Sequence, residues 1–381
     1  SLTLLNSTVV PYNSAYCYNF VIDPGAEITM NNTVLDRACE VMIDTHLFTF
    51  NHLTVENTEY NGLAIDPCGG SQSNGACSSS THSVTDSLEN ITVDNIPEYG
   101  IMMDYDVNTP NEEYCLCNIT LNGEQMVSRR SGTGSSSGSH AVTTPGANVS
   151  QYRIENISGG TIDISFGTVE ADHIVVRDNS VVRSTISYST QKVDSYWVEN
   201  ITSPGAVYFD FHGNILSDVT VTDLDVGSLS LDGGGSGAAG MLGAMTKPAN
   251  YSFTDITSGG TVHLYDMNQS SDSIFRNMTL SGFSGDGLTF SGLNPDNSIL
   301  VQDITIVNAS NSAASYGLYL YSVNPDMEFH NLNIHNTSGN QQFYVTSSNN
   351  ITLRNSTIAN ASGNNLRGIY AISTDMLTLD N

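Results

Sequence analysis

The chain has 381 residues, of which only 13% are charged, and its 39 acidic against 11 basic side chains give a formal net charge of -28. Such a surface repels nucleic acid and anionic membrane, leaving cations, basic proteins or neutral glycans as the expected partners. No apolar stretch approaches the roughly 18 residues that would suggest a membrane span, and any secretory leader is expected to have been removed before Ser1.

Ser, Thr, Asn and Gly are plentiful, a composition that favours strands and turns over helices. A short frame recurs: polar, apolar, polar, apolar, any residue, then Asn or Asp. It is clearest in NITVDN (Asn90 to Asn95), NYSFTD (Asn250 to Asp255), DITIVN (Asp303 to Asn308), NLNIHN (Asn331 to Asn336) and NSTIAN (Asn355 to Asn360). Laid along the chain, its first position falls on Asn6, Glu27, His52, Asn90, Asn118, Gln151, His173, Ser195, Asp218, Asn250, Asn277, Asp303, Asn331, Asn355 and Asn381. Every fourth position is apolar, from Val9 and Met30 through Val198 to Ile306, Ile334 and Ile358, while Thr54, Thr92, Thr120, Thr220, Thr279, Thr305 and Thr357 take the outward side of a period-2 strand.

A second strand follows each bend, as in GLAID ending at Asp66, GIMMD at Asp104, AVYFD at Asp210 and YGLYLY at Tyr321. A third, less regular strand precedes the next frame. Three short strands in a repeat of about 22 to 28 residues predict an all-β, right-handed parallel β-helix of about fourteen coils. A β-sandwich would need a recurring hairpin signal, which is missing. No coil buries its inner face alone, so residues 1–381 are expected to form one domain. Loop excursions are expected near 66–86, 128–148 and 232–248.

The six cysteines are an even set. Cys17 and Cys39 lie one repeat apart, and Cys68 and Cys77 bracket a Gly/Ser loop. Cys115 and Cys117 share one face of a strand, so a bond between them is expected to be strained, with one of them pairing elsewhere. Asp44, Asp66 and Asp104 end equivalent strands in successive coils, and Asp104, Asp106 and Asn108 are spaced as oxygen ligands. Carboxylates one rung apart repel unless exposed, protonated or bridged by a cation, and calcium is the ion such a set would take. The alternative is solvated turn acids.

This repeat pattern resembles the pectin-lyase-like superfamily of right-handed β-helices over nearly the whole chain. The superfamily includes pectate lyases, polygalacturonases and non-enzymatic surface proteins, so the resemblance implies fold more than activity. Polygalacturonase-like members carry N-T-D, D-D, G-H-G and R-I-K motifs; here the nearest match is Phe211-His212-Gly213, without acidic partners. Lyase-like members use a calcium cluster and a basic residue, and this chain has only Lys192 and Lys247 as lysines.

Glycosylation triplets, Asn-x-Ser/Thr, fall on the first frame position at Asn6, Asn90, Asn118, Asn250, Asn277 and Asn355, which has outward parity and is expected to carry N-linked glycans. Another set, Asn156, Asn200, Asn308, Asn336 and Asn360, takes the sixth position, where parity points inward. There the competing reading is an internal ladder of amides at a bend. Tyr319 and Tyr321 lie opposite Leu318 and Leu320; inward leucines would leave a short strip of tyrosines suited to stacking on sugar, against the favoured reading that the tyrosines are simply partly buried strand residues. The expectation is an extracellular structural glycoprotein, assembling with itself head to tail into a filament, hair or surface layer. A polysaccharide lyase or hydrolase, or a glycan-binding adhesin module, is the alternative.

Overall fold

The computed structural model describes residues 1–13, 15–23, 25–65, 83–84, 87–103, 105–127, 147–210, 218–232, 250–265, 273–282, 286–293, 299–307, 316–324, 326–337, 341–359 and 367–380. The chain is an all-β parallel β-solenoid of about 10 turns, with no helix among the described residues. The sequence frame predicts about fourteen coils, more than the about 10 turns found. No helix of the described residues is long and apolar enough to cross a membrane.

Two compact units divide the chain, Ser1–Thr190 and Gln191–Asn381. In the first, Leu2–Val9 pairs in parallel with Glu27–Asp36, which pairs in turn with Leu47–Glu56, and that strand with Leu88–Asp94. The stack continues through Asp106–Thr120, Ala147–Ser158 and Thr161–Ser180. A second column runs through Tyr18–Ile22, Ala38–Ile43, Leu63–Ile65, Ile101–Met103 and Gln125–Val127. The second unit repeats the plan. Asp218–Asp232, Asn250–Ser258, Ile274–Ser281 and Ile299–Val307 stack in one column, and Leu288–Ser291, Tyr316–Tyr321, Gln341–Thr346 and Arg367–Ile372 in another.

Each long strand is bent by one residue in the left-handed region. In the first unit these are Asn6, Asn32, His52, Asn90, Asn118, Asn156 and Asp178; in the second, Asn200, Asp223, Asp255, Asn277, Asp303, Asn331 and Asn355, with φ from 47° to 59°. Asn and Asp tolerate this conformation better than other residues with a Cβ, because their short side chains bond locally. Within each unit the strand registers place successive members opposite one another: Leu5 pairs Asn31 and Ser7 pairs Thr33, so Asn6 faces Asn32.

This register corrects the sequence frame. Glu27, Gln151, His173, Ser195, Asp218 and Asn250 stand five residues before the bend, whose true occupants are Asn32, Asn156, Asp178, Asn200, Asp223 and Asp255. The slip has a physical cause. A single left-handed residue resets the in-out alternation, so residues two before, one after and three after it all face the core. A frame anchored on either side of the bend therefore sees the same pattern. Its inward assignments survive: Met30, Ile154, Val198, Val221, Phe253 and Ile306 have no more than trace exposure, while Thr305 is half-exposed. In the second unit the core is a file of aromatic rings, with Phe253 and Phe275 stacked at 5.3 Å and Phe275, Phe290, Phe329 and Phe343 following edge to face.

Candidate functional site

Two repeating surfaces stand out, and both follow from the register. The first is the bend. Its left-handed residue is followed in most coils by an inward apolar residue, with Ser7, Thr33, Asn179 and Ser356 the exceptions, and then by an outward one, usually Thr or Ser. Asn90-Ile91-Thr92, Asn118-Ile119-Thr120, Asn156-Ile157-Ser158, Asn200-Ile201-Thr202 and Asn277-Met278-Thr279 satisfy this rule, and they are also glycosylation triplets. Asp255-Ile256-Thr257 and Asp303-Ile304-Thr305 satisfy it equally with an acid in place of the amide. The fold thus accounts for the triplet's recurrence, and it leaves the choice between Asn and Asp open.

Asn6, Asn118, Asn156, Asn200, Asn277 and Asn355 are exposed and Asn90 is half-buried. Asn156 and Asn200, expected inside, therefore share the exposed bend with Asn118 and Asn277. Asn336 is also exposed, in a separate left-handed bend. Asn250 leaves the group, since it lies in the strand before the bend at Asp255. Asn308 and Asn360 lie outside the described residues. A ladder of side-chain amides does exist, on the surface rather than inside and not between members of the sixth-position set: Asn32 Nδ2 donates to Asn6 Oδ1 at 3.0 Å, Asn156 Nδ2 to Asn118 Oδ1 at 2.7 Å, and Asn331 Nδ2 to Asp303 Oδ1 at 2.8 Å. Asn277 donates likewise to Asp255. A shallow polar hollow of about 370 Å³ runs beside the last of these, lined by Asn277, Thr279, Asp303, Thr305, Asn331 and Asn355 among others.

The second surface is the outer face of Tyr316–Tyr321 and its neighbours. Leu318 and Leu320 are fully buried, as are Phe343 and Val345 in the next strand. Tyr319, Tyr344 and Tyr370 consequently face outward in one register column. Their rings are nearly parallel, with centroids 5.2 Å apart from Tyr319 to Tyr344 and 5.4 Å from Tyr344 to Tyr370. Tyr316 leans on Tyr319 and Tyr344, and the Arg367 guanidinium sits 3.9 Å over the Tyr370 ring. Partial burial, reinforced by the neighbouring phenols and by Asp286, pushes the Tyr319 hydroxyl up to about 12, so it remains an uncharged donor. The sequence reading found Tyr319 and Tyr321 but missed Tyr344 and Tyr370. Aligning FYVT and IYAI with GLYLY by coil spacing would have found them.

Thr289 precedes Tyr319 in the column, and His263 precedes Thr289. Thr289 is 8% exposed, and its Oγ1 has no hydrogen-bond partner among the described residues; the same holds for Gln341 Oε1. Burial lowers the pKa of His263 against the opposing charge of Asp286. Burial raises that of Asp286, against the Tyr316 N–H that it accepts at 3.1 Å.

The remaining expectations are placed as follows. Cys17 pairs with Cys39, and Cys115 pairs with Cys117 rather than with a cysteine elsewhere. Cys68 and Cys77 lie outside the described residues. Of the acids expected to hold calcium, Asp44 is buried, Asp66 and Asp104 lie outside the described residues, and Asp106 and Asn108 fall in the strand Asp106–Thr120, which carries the buried Tyr114. Among the described residues the one grouping with metal-ligand spacing is Cys17, Cys39 and Glu59, and the cystine occupies both sulfurs. Phe211-His212-Gly213 lies outside the described residues. Comparison of the chain with family models, with curated proteins and with solved structures found no match.

Proposed function

We propose that the chain is a structural extracellular glycoprotein, a β-helix of pectin-lyase-like type whose bends carry N-linked glycans. The observation that carries this reading is the bend itself. It holds seven glycosylation triplets, at Asn6, Asn90, Asn118, Asn156, Asn200, Asn277 and Asn355, on a turn where the side chain projects to the surface. An enzyme that modifies Asn needs an accessible, turned backbone, and a left-handed bend supplies one at each coil. The fold accepts Asp at the same place, so the fold alone does not require the amide form. Glycopeptide mass spectrometry on protein from its native source tests the reading. Modified Asn118 and Asn277 are expected, and finding all seven bare overturns it.

The proposal includes end-to-end assembly. Leu353, Ile358, Ile369 and Leu379 line an open apolar hollow of about 350 Å³, and Leu379 is 63% exposed. The strand Leu2–Val9 carries Leu-Thr-Leu-Leu-Asn, nearly the pattern of Leu377–Asp380, with Leu5 56% exposed. Further coils of the same chain, or a second copy stacked there, would continue the register and cover both leucines; of the two, the second copy makes a head-to-tail contact that propagates, and it is the one proposed. Leu379→Asp is expected to abolish concentration-dependent growth in sedimentation; growth equal to that of the wild type rejects the contact. Catalysis has no part in this reading, and release of unsaturated uronides from polygalacturonate above background would overturn that statement.

A further inference from the structure

We infer that the column Tyr319–Tyr344–Tyr370 is a binding strip for an extended, uncharged β-1,4-linked glycan lying along the solenoid axis. The Tyr319 and Tyr344 rings lie 6° from parallel with centroids 5.2 Å apart, and the Tyr344 and Tyr370 rings 12° from parallel with centroids 5.4 Å apart. All three phenols stay partly exposed along the column, with the Arg367 guanidinium over the Tyr370 ring. A pyranose offers a face of C–H groups that packs on such a ring. The ring spacing of 5.2 and 5.4 Å is close to the rise of one sugar in an extended β-1,4-linked chain, so successive sugars meet successive rings in step. A coiled α-linked glucan drifts out of register after one contact.

Three further observations select the occupant. The buried Thr289 Oγ1 at the head of the column and Gln341 Oε1 beside it have no partner among the described residues; both are shielded from solvent, and a sugar hydroxyl supplies what each lacks once its side chain turns toward the strip. Phenolic hydroxyls along the strip are uncharged hydrogen-bonding groups. The net charge of -28 disfavours acidic polysaccharides, and the Arg367 guanidinium is engaged over Tyr370. The plain alternative is an aromatic ladder that only stabilises the sheet. The inference rests neither on glycosylated bends nor on end-to-end assembly, so its failure leaves both untouched.

Isothermal titration of the full chain with cellohexaose, xylohexaose, maltohexaose and polygalacturonate tests it. Cellohexaose or xylohexaose is expected to bind at least about tenfold more tightly than maltohexaose, with no binding of polygalacturonate. Tyr344→Ala removes the central ring and is expected to weaken binding by about tenfold or more, whereas Tyr344→Phe keeps the face and stays within about threefold. Tyr370→Ala gives the same readout at the end of the strip should Tyr344→Ala fail to fold, and Tyr60→Ala, on the first unit, leaves binding unchanged. Absence of binding to both β-linked hexasaccharides at millimolar concentration overturns the inference. So does equal affinity for maltohexaose, and so does undiminished binding in a folded Tyr344→Ala.

Discussion

The bend row makes a quantitative demand on Asn118. At φ 55° the residue sits where an ordinary side chain is strained by about 1–2 kcal/mol, and a β-branched one by no less. Its Oδ1 also accepts the 2.7 Å hydrogen bond from Asn156 Nδ2, a contact of about 1 kcal/mol net. Asn118→Val loses both, for a destabilisation of about 2–3 kcal/mol. Asn118→Gly relieves the backbone but loses the bond and stiffness, for about 1–2 kcal/mol. Asn118→Asp keeps an acceptor oxygen in a residue type that already occupies four bends, at Asp178, Asp223, Asp255 and Asp303, and is expected to be neutral within about 0.5 kcal/mol. Urea unfolding of unglycosylated protein, followed by circular dichroism, separates this order from any effect of sugar. Equal stability of the Asn118→Val and Asn118→Asp variants, both close to wild type, would refute the left-handed constraint. An Asn118→Asp variant as damaged as Asn118→Val would refute the role assigned to the acceptor.

Other consequences are open to measurement. The facing bends Asn90 and Asn118 are about 4.8 Å apart, too close for two sugars side by side, so the tryptic fragment 38–129 should carry one glycan and never two. A Cβ on Gly260 would stand 2.2 Å from the Gly227 carbonyl oxygen; Gly260→Ala is expected to cost about 1–3 kcal/mol in thermal unfolding, while Gly25→Ala, open on all sides but left-handed, costs only its backbone strain. Val198→Asp buries an unpaired charge at a fully enclosed position and should yield no soluble folded protein. Burial raises the pKa of Glu155, but hydrogen bonds and charge from Arg177 and Arg153 outweigh it and hold the carboxyl below its ordinary value. That contribution is present above the unfolded carboxylate pKa of about 4.3 and disappears as pH falls through the lower folded value, so Glu155→Gln should flatten the acid limb of the stability curve.

The parallel solenoid was legible because buried positions recur in both strands flanking each bend, and Val198, Ile306 and Thr305 lie where the pattern put them. The exact bend was not legible in the middle coils. Sequence alternation reads the same on either side of a left-handed residue, and polar residues such as Gln151 and Asp218 stood where the frame wanted a polar start. A stricter rule, Asn or Asp followed by an inward apolar residue and an outward Thr or Ser, picks out Asn156, Asn200 and Asp255 correctly. The tyrosine strip was half legible for a different reason: Tyr319 and Tyr321 are neighbours in one strand, whereas Tyr344 and Tyr370 join only through register between strands. Cys115 and Cys117 were read against their strand geometry, and they pair nonetheless.

The register between successive coils also governs how such a chain can change in length. Asp255, Asn277 and Asp303 face one another in turn, and the residues before and after each are matched in kind: Phe253, Phe275 and Val301 before, Ile256, Met278 and Ile304 after. Cutting out the segment from Asn277 to Gln302 would bring the strand after Asp255 against the strand after Asp303, with apolar still on apolar and bend still on bend. Losing a single residue within a strand would instead turn the rest of that strand inside out. Insertions and deletions that survive in this chain should therefore come in whole coils, or else swell the loops between strands.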